Sequence, residues 1–317
     1  PLRLVGSEMC IRDSYDSDKS SKNWKSFEVY LKRIWFSNGI HHHYSNDKHR
    51  PEFSPDYLEK LLNETDTQLD KEAFDVIFNE KDDKKVNLDQ NKGLIKGSAV
   101  NFYGPNVTAQ DVDFYYSEVK KVPNPKKPIS LGLNSKLVKE NGKLVEKVWK
   151  MGGMYNDEIK NIIYWLSKAS KYAENIKQKE GLELLIKYYE TGDLNIWDEY
   201  NVVWVETTEG DVDYINGFIE VYNDPKGYRG SYESVVQIKD FNMSKKMDAV
   251  SNNAQWFEDN SPILREHKKK NVKGISYNTV NVAGEAGDAS PSTPIGINLP
   301  NANWIRVEHG SKSISLG

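Results

Sequence analysis

Tyr214-Ile-Asn-Gly-Phe-Ile-Glu-Val-Tyr222 is rich in β-branched and aromatic residues and fits a strand. Asn223-Asp224-Pro225-Lys226-Gly227 comes next, a run of turn formers. Ser231 to Lys239 fits the returning strand, so the three pieces predict a hairpin-like pair. Residues 273–283 alternate in the same way and predict a further strand, and the small, polar residues 284–293 predict a loop. On both sides of these strands the hydrophobic period changes to the helical one. The combination predicts an α+β fold.

The helical segments are marked by spacing and by their ends. Phe27, Tyr30, Leu31, Ile34 and Trp35 give residues 23–36 one apolar face, and Asn38-Gly39 stops that helix. Ser54 is placed to cap a second helix with Pro55 at its first position. Thr108 with Asp111 makes a capping-box-like start to a third. Ile159, Ile162, Ile163, Leu166, Ala169 and Ala173 form a stripe along 156–174. Residues 181–189 form another amphipathic helix ended by Thr191-Gly192, and 244–270 return to a helical pattern. Residues 80–91 read as a surface loop, and 121–128, with three prolines, as an extended connection.

Composition narrows the function classes. The 317 residues suit one large domain or two smaller ones, and 8 Trp with 18 Tyr supply bulk for a real core. A net charge of -4 gives no steering toward nucleic acid or an anionic membrane, so neither is an expected partner. No apolar run approaches the ~20 residues that span a bilayer. The single cysteine, Cys10, excludes an internal disulfide and a Cys-based metal site and fits a reducing compartment such as the cytoplasm. A periplasmic location is compatible only with an export signal lost from the N-terminus. Residues 1–14 read as a non-native leader like a translated adaptor.

The site candidates come from strands. On one strand Glu220 and Tyr222 share parity, so both side chains point to one face. Asn298 and Asn301, in Gly296-Ile-Asn-Leu-Pro-Asn301, each offer a donor and an acceptor suited to peptide groups. Read alone, these residues are also compatible with an ordinary hairpin and with two turn-forming asparagines. His41-His42-His43 invites a metal reading, but consecutive ligands fit a tetrahedral site poorly, and no His-Glu-x-x-His occurs. His49, His267 and His309 are isolated. No residue of this chain is assigned to a metal, and none is expected to bind a cofactor.

Four longer stretches carry a family resemblance: Trp35-Phe-Ser-Asn-Gly-Ile-His-His-His-Tyr-Ser45, Gly132-Leu-Asn-Ser-Lys-Leu137, Phe218 to Asp224-Pro225 with Gly227-Tyr-Arg-Gly230, and Gly296 to Asn301. They resemble the bacterial branch of dipeptidyl peptidase III, a family of zinc metallopeptidases. The resemblance implies a lower domain with a β-barrel core surrounded by helices, and a helical upper domain. Residues 15–243 would be the first part of the lower domain, 244–272 the start of the upper domain, and 273–317 the lower domain continued, with the substrate-binding strand.

It further implies a protein that releases dipeptides from peptide N-termini. Glu220 would bind the free amine, Tyr222 would stabilise the oxyanion, and Asn298 and Asn301 would hold the peptide. Pro294, Ile295 and Gly296 would pair with it through the backbone. Short peptides with a free N-terminus are the implied partners. Zn²⁺ is the implied cofactor of the full-length parent, whose His-Glu-x-x-Gly-His motif is absent from 1–317, so this chain is expected to be inactive alone. Asn223 departs from the arginine of many animal members, which puts substrate contacts from that position in doubt. A non-catalytic peptide-binding protein and a purely structural α+β protein remain as alternatives.

Overall fold

The computed structural model describes residues 10–81, 83–119, 125–272, 278–290 and 294–315. Several helical segments open on side-chain caps, two of them, Ser54 and Thr108, as the sequence predicts. Ser21 accepts from the Trp24 N–H to open α1 (Lys22–Ser37), and Asn38 closes it in the left-handed conformation at φ 53°. Ser54 and Pro55 open α2 (Pro55–Glu64). A short α3 (Lys71–Phe78) comes after it. These three helices bury Trp24, Phe27, Leu31, Leu58 and Leu61 in one core, which also takes in Ile11 and Tyr15.

At α4 (Ala109–Val119) the Thr108 N–H donates to Asp111 Oδ2 at 2.8 Å, while Thr108 Oγ1 accepts from the Asp111 N–H at 3.2 Å. The reciprocal pair satisfies two otherwise orphaned amides. α4 packs Val112 and Tyr116 against Leu137 of a tight hairpin, β1 (Ser135–Glu140) and β2 (Lys143–Val148).

The largest core joins helices to the strands of the second hairpin. α5 (Asn156–Ala169) continues into a short 3₁₀ turn, so the predicted stripe over 156–174 is present, with Ile159 buried and Ile162, Ile163 and Leu166 packed at the edge. α6 (Ile176–Thr191) ends at Gly192, whose φ of 71° suits glycine. Asp193 caps α7 (Leu194–Glu206) directly afterwards.

β3 (Val212–Glu220) and β4 (Ser231–Lys239) pair antiparallel as the sequence predicts. Ile215, Gly217 and Ile219 form one face of β3. A Cβ on Gly217 would lie 2.4 Å from the Trp197 ring, so the absent side chain is what lets α7 approach this closely. On the other face the Tyr189 hydroxyl of α6 donates to Asn216 Oδ1 at 2.6 Å.

β4 also pairs with β5 (Val280–Gly287), giving the order β3-β4-β5. The expected loop at 284–293 is thus corrected: pairing to β4 carries the strand to Gly287, where a φ of 67° ends it. Of the predicted strand 273–283, residues 273–277 lie outside the described residues, as do 1–9 of the expected leader, 121–124 of the expected extended connection and 291–293 of the expected loop. The predicted helical segment 244–270 is two helices, α8 (Phe241–Asn252) and α9 (Ala254–Asn260), plus a 3₁₀ turn. β6 (Gly296–Leu299), α10 (Asn303–Glu308) and β7 (Lys312–Ser315) complete the described chain.

The expected β-barrel core is overturned. The described residues form antiparallel sheets of two, three and two strands, and none closes. A barrel requires the last strand to pair back onto the first. Here β3 and β5 each pair with β4 alone, so both edges stay open. The α+β content stands.

Candidate functional site

The β3–β4 connection is rigid because Asp224 is saturated. Its carboxylate accepts the Lys226, Tyr228 and Arg229 amides at 2.8–2.9 Å and the Tyr103 hydroxyl at 2.8 and 2.9 Å. Arg229, fully buried, donates to Ser135 O and to the Tyr116 hydroxyl and lies over the Tyr103 and Tyr116 rings. The Gly230 amide donates to Leu133 O at 2.8 Å. This hub fixes the chain just after Glu220 against segment 129–133.

Between these parts lies an open cavity of about 430 Å³. One wall is formed by Ile219 and Glu220 at the end of β3, with Val221 and Tyr222 directly beyond them. A second is Ile129, Leu131 and Leu133, a third is Trp197 and Asn201 of α7, and the fourth is Leu299 to Ala302 at the end of β6. Glu220 is half-buried at the rim. Tyr222 is 80% exposed and lies beyond the end of β3, so strand parity is not what brings the pair together. They meet through proximity, and the Glu220 carboxylate is the chief reason the Tyr222 phenol is raised above its ordinary pKa, with burial adding to it.

A second carboxyl stands behind the first. Glu233 on β4 is 5% exposed and is pushed up to about 7 by burial, with the charges of Glu220 and Asp288 adding. Asn223, in the position that departs from the family pattern, donates to Asp288 Oδ2 at 2.7 Å and to Ser231 Oγ at 2.8 Å. It ties the turn to the end of β5. Lys85 reaches the same region: burial lowers its pKa, and Asp288 opposes that.

The other sequence candidates divide. Asn301 lines the cavity with Glu220 and Tyr222. Asn298 does not: it shares the exposed face of β6 with Gly296, while Ile297 and Leu299 point into the core. Ile295 is 82% exposed, and Pro294 lies beside it ahead of the strand. β6 pairs with β7 along one edge, Gly296 opposite Ser315 and Asn298 opposite Ser313. The sequence reading missed Trp197, Asn201 and the 129–133 wall. Asp193 as a cap and the spacing of Trp197, Tyr200, Asn201 and Trp204 could have revealed α7.

The histidine tract serves its own loop. His42 Nδ1 accepts the Tyr44 and Ser45 amides at 3.2 and 3.1 Å, and His41 is buried in a bridge to Lys48. His309 meets Glu206 at 3.0 Å. Among the described residues, no group of three or more His, Cys, Asp or Glu is arranged to hold a metal ion. The donor set therefore does not fit zinc. A carboxylate at the mouth of an apolar cavity, flanked by a phenol and an amide, fits a cationic group joined to an apolar one.

Comparison with known proteins places the chain in a family. The model of peptidase family M49 matches residues 77–317. Dipeptidyl peptidase 3 of Dictyostelium discoideum is 25% identical over 286 residues, covering 79% of this chain and 40% of that protein. The Homo sapiens protein of the same name is 28% identical over 165 residues, covering 52% of this chain and 22% of its own length. Among solved structures, DPP III from Caldithrix abyssi superposes with a TM-score of 0.62 at 18% identity, covering 99% of this chain and 53% of that one. DPP III from Corallococcus sp. strain EGB gives 0.60 at 16%, with 99% and 52% covered. The chain thus spans less than half the length of these curated relatives and about half of the solved ones.

Proposed function

Because the chain belongs to peptidase family M49, we propose that it is the substrate-holding part of a zinc-dependent dipeptidyl peptidase, and that it grips a peptide by its free amino end. The observation that carries this reading is Glu220 at the mouth of the cavity, next to Tyr222 and Asn301. An ammonium facing a half-buried carboxylate makes a charge-assisted hydrogen bond, and an acylated amine cannot. Tyr222 is a phenol that keeps its proton at neutral pH, and the Glu220 charge beside it raises its pKa further. Its hydroxyl can therefore donate to a peptide carbonyl and to the negative charge that develops there on attack. Asn301 offers both halves of an amide to the peptide backbone. Asn298, Gly296, Ile295 and Pro294 would serve as an outer strand against which the extended peptide runs.

Zinc would supply the polarisation of the scissile carbonyl and the activated water. Its ligands would come from parts of the longer protein outside 1–317, because the described donors do not fit it. Two measurements test the proposal. Isothermal titration of a short peptide against its N-acetylated copy should show binding of the free amine only; equal affinity sinks the role of Glu220. Release of dipeptides from a dipeptidyl-arylamide with added zinc should be absent for residues 1–317 and present for the longer protein. Amine-dependent binding with no release by the longer protein would favour a peptide-binding protein without catalysis.

A further inference from the structure

We propose that Glu233 is a positioning residue behind the amine anchor, and that it gives up a proton to solvent when a peptide's ammonium docks on Glu220, so that capture strengthens as acid solutions approach neutrality. The inference rests on the proposed anchor at Glu220 and adds how protons regulate it.

Strand register sets Glu233 beside the anchor. Glu220 on β3 pairs with Ser231 on β4, and Glu233 is two residues further along, so its side chain leaves β4 on the face that Ser231 shares. Its direct neighbours on both sides are glycines, Gly217 on β3 and Gly287 on β5. Glu233 is 5% exposed, and among the described residues its carboxyl has no hydrogen-bond or ion-pair partner. A buried carboxylate without a donor is costly, and the protonated form costs far less.

The charges that act on Glu233 are negative. Glu220 lies at the end of β3 and Asp288 just past the end of β5, and both oppose its ionisation. Glu285 of β5, opposite Val235, is a further carboxyl on that face. Tyr222 is close enough for the Glu233 charge to help raise its phenol. Lys85 acts on Asp288 and not on Glu233. The other elements that meet this face there are uncharged: the Trp197 ring of α7 lies over Gly217, and Asn38 after α1 donates to Gly287 O at 3.0 Å.

Burial first, and then the two carboxylates, push Glu233 up to about 7. An ammonium on Glu220 offsets one of those opposing charges. The O–H bond of Glu233 then breaks at lower pH, the proton passes to water, and the electron pair stays on the carboxylate. Empty, the site avoids two adjacent carboxylates. Occupied, it gains a second negative charge behind the ammonium.

The test is isothermal titration of tetra-alanine amide, with a free or an acetylated amine, at pH 6.5 in two buffers of different ionisation enthalpy. The difference in apparent enthalpy counts the protons released. The free peptide amine, with a pKa of roughly 7.7–8.0, is then almost wholly charged and takes up few protons itself. If the ammonium lowers the ionisation of Glu233 by one pH unit, about half a proton is released and affinity rises roughly fourfold between pH 5.5 and 7.0. Glu233→Gln should release none and bind with an affinity that is flat over this range. Asp288→Asn removes one opposing charge, so its release should fall at pH 6.5 and peak at lower pH.

Amine-dependent binding without proton release, or with release that survives in Glu233→Gln, overturns the role of Glu233 and leaves the Glu220 anchor standing. Should Glu233→Gln fail to bind, Asp288→Asn decides, and a release peak that stays in place or moves to higher pH overturns the proposal. Equal binding of the acetylated peptide, or no binding of either, overturns the anchor and the proton coupling together.

Discussion

Glu220 and Glu233 are neighbours with different tasks. Glu220 stands at the rim, where an ammonium can reach it. Glu220→Gln keeps the shape and removes the charge. It should weaken a free-amine peptide by about 1.5–3 kcal/mol, the worth of a charge-assisted hydrogen bond, and leave the acetylated peptide unchanged on titration. Glu233 is buried and raised to about 7. Asp198 on α7 is also raised to about 7 by burial, with the Trp304 side chain opposing that.

In both carboxyls the folded pKa lies above the unfolded one, so the folded chain binds more protons between the two values. Their stabilisation is present at low pH and lost as pH rises toward and through 7. Chemical denaturation should therefore show this contribution falling between about pH 4.5 and pH 7. Glu233→Gln should flatten the dependence and raise stability at pH 8 by up to roughly 3 kcal/mol. A steeper dependence in the variant would contradict the burial argument. The identity of Glu220 as a candidate was legible in the sequence. The state of Glu233 was not, because it depends on what β3 and β5 place around it.

At the scale of elements, turns and caps were the readable parts. Ser54 and the Thr108–Asp111 pair act as their local chemistry predicts, since each needs only three or four residues to complete its hydrogen bonds. The β1–β2 hairpin was missed although Asn141 and Gly142, with φ of 50° and 78°, form the two-residue link that favours these residues. Gly142→Ala should cost about 1 kcal/mol there, seen as a lower denaturation midpoint with an unchanged slope.

α7 was missed for another reason. Tyr, Trp and Val are moderate helix formers, and the helix is held by packing against β3. Gly217→Ala tests that contact. The added methyl would press on Trp197, and the variant should lose about 1–3 kcal/mol and bind a free-amine peptide less tightly as the cavity wall shifts.

For the whole molecule, the decisive contacts join distant segments. The β6–β7 pair reaches back to the main core through Lys312, whose Nζ lies 2.9 Å from Asp213 Oδ2 and 4.4 Å from the Trp204 ring centre. Lys312→Met should loosen the hairpin that carries Leu299 and Asn301, weakening peptide binding several-fold and increasing proteolysis near 294–315 at a cost of about 1–3 kcal/mol. Protection equal to that of the original chain would show that the tether is dispensable.

Several helices, the caps at Ser54 and Thr108, the β3–β4 hairpin and the family were readable along the chain, because each is written in spacings of a few residues or in long ordered motifs. Only the folded arrangement settled that β3-β4-β5 stays an open sheet, that Asn301 joins Glu220 while Asn298 does not, and that a hollow lies between them. Those outcomes depend on which surfaces remain unfilled when α7, segment 129–133 and β6 converge. Burial and packing of that kind are properties of the assembled whole and leave no local pattern in the order of residues.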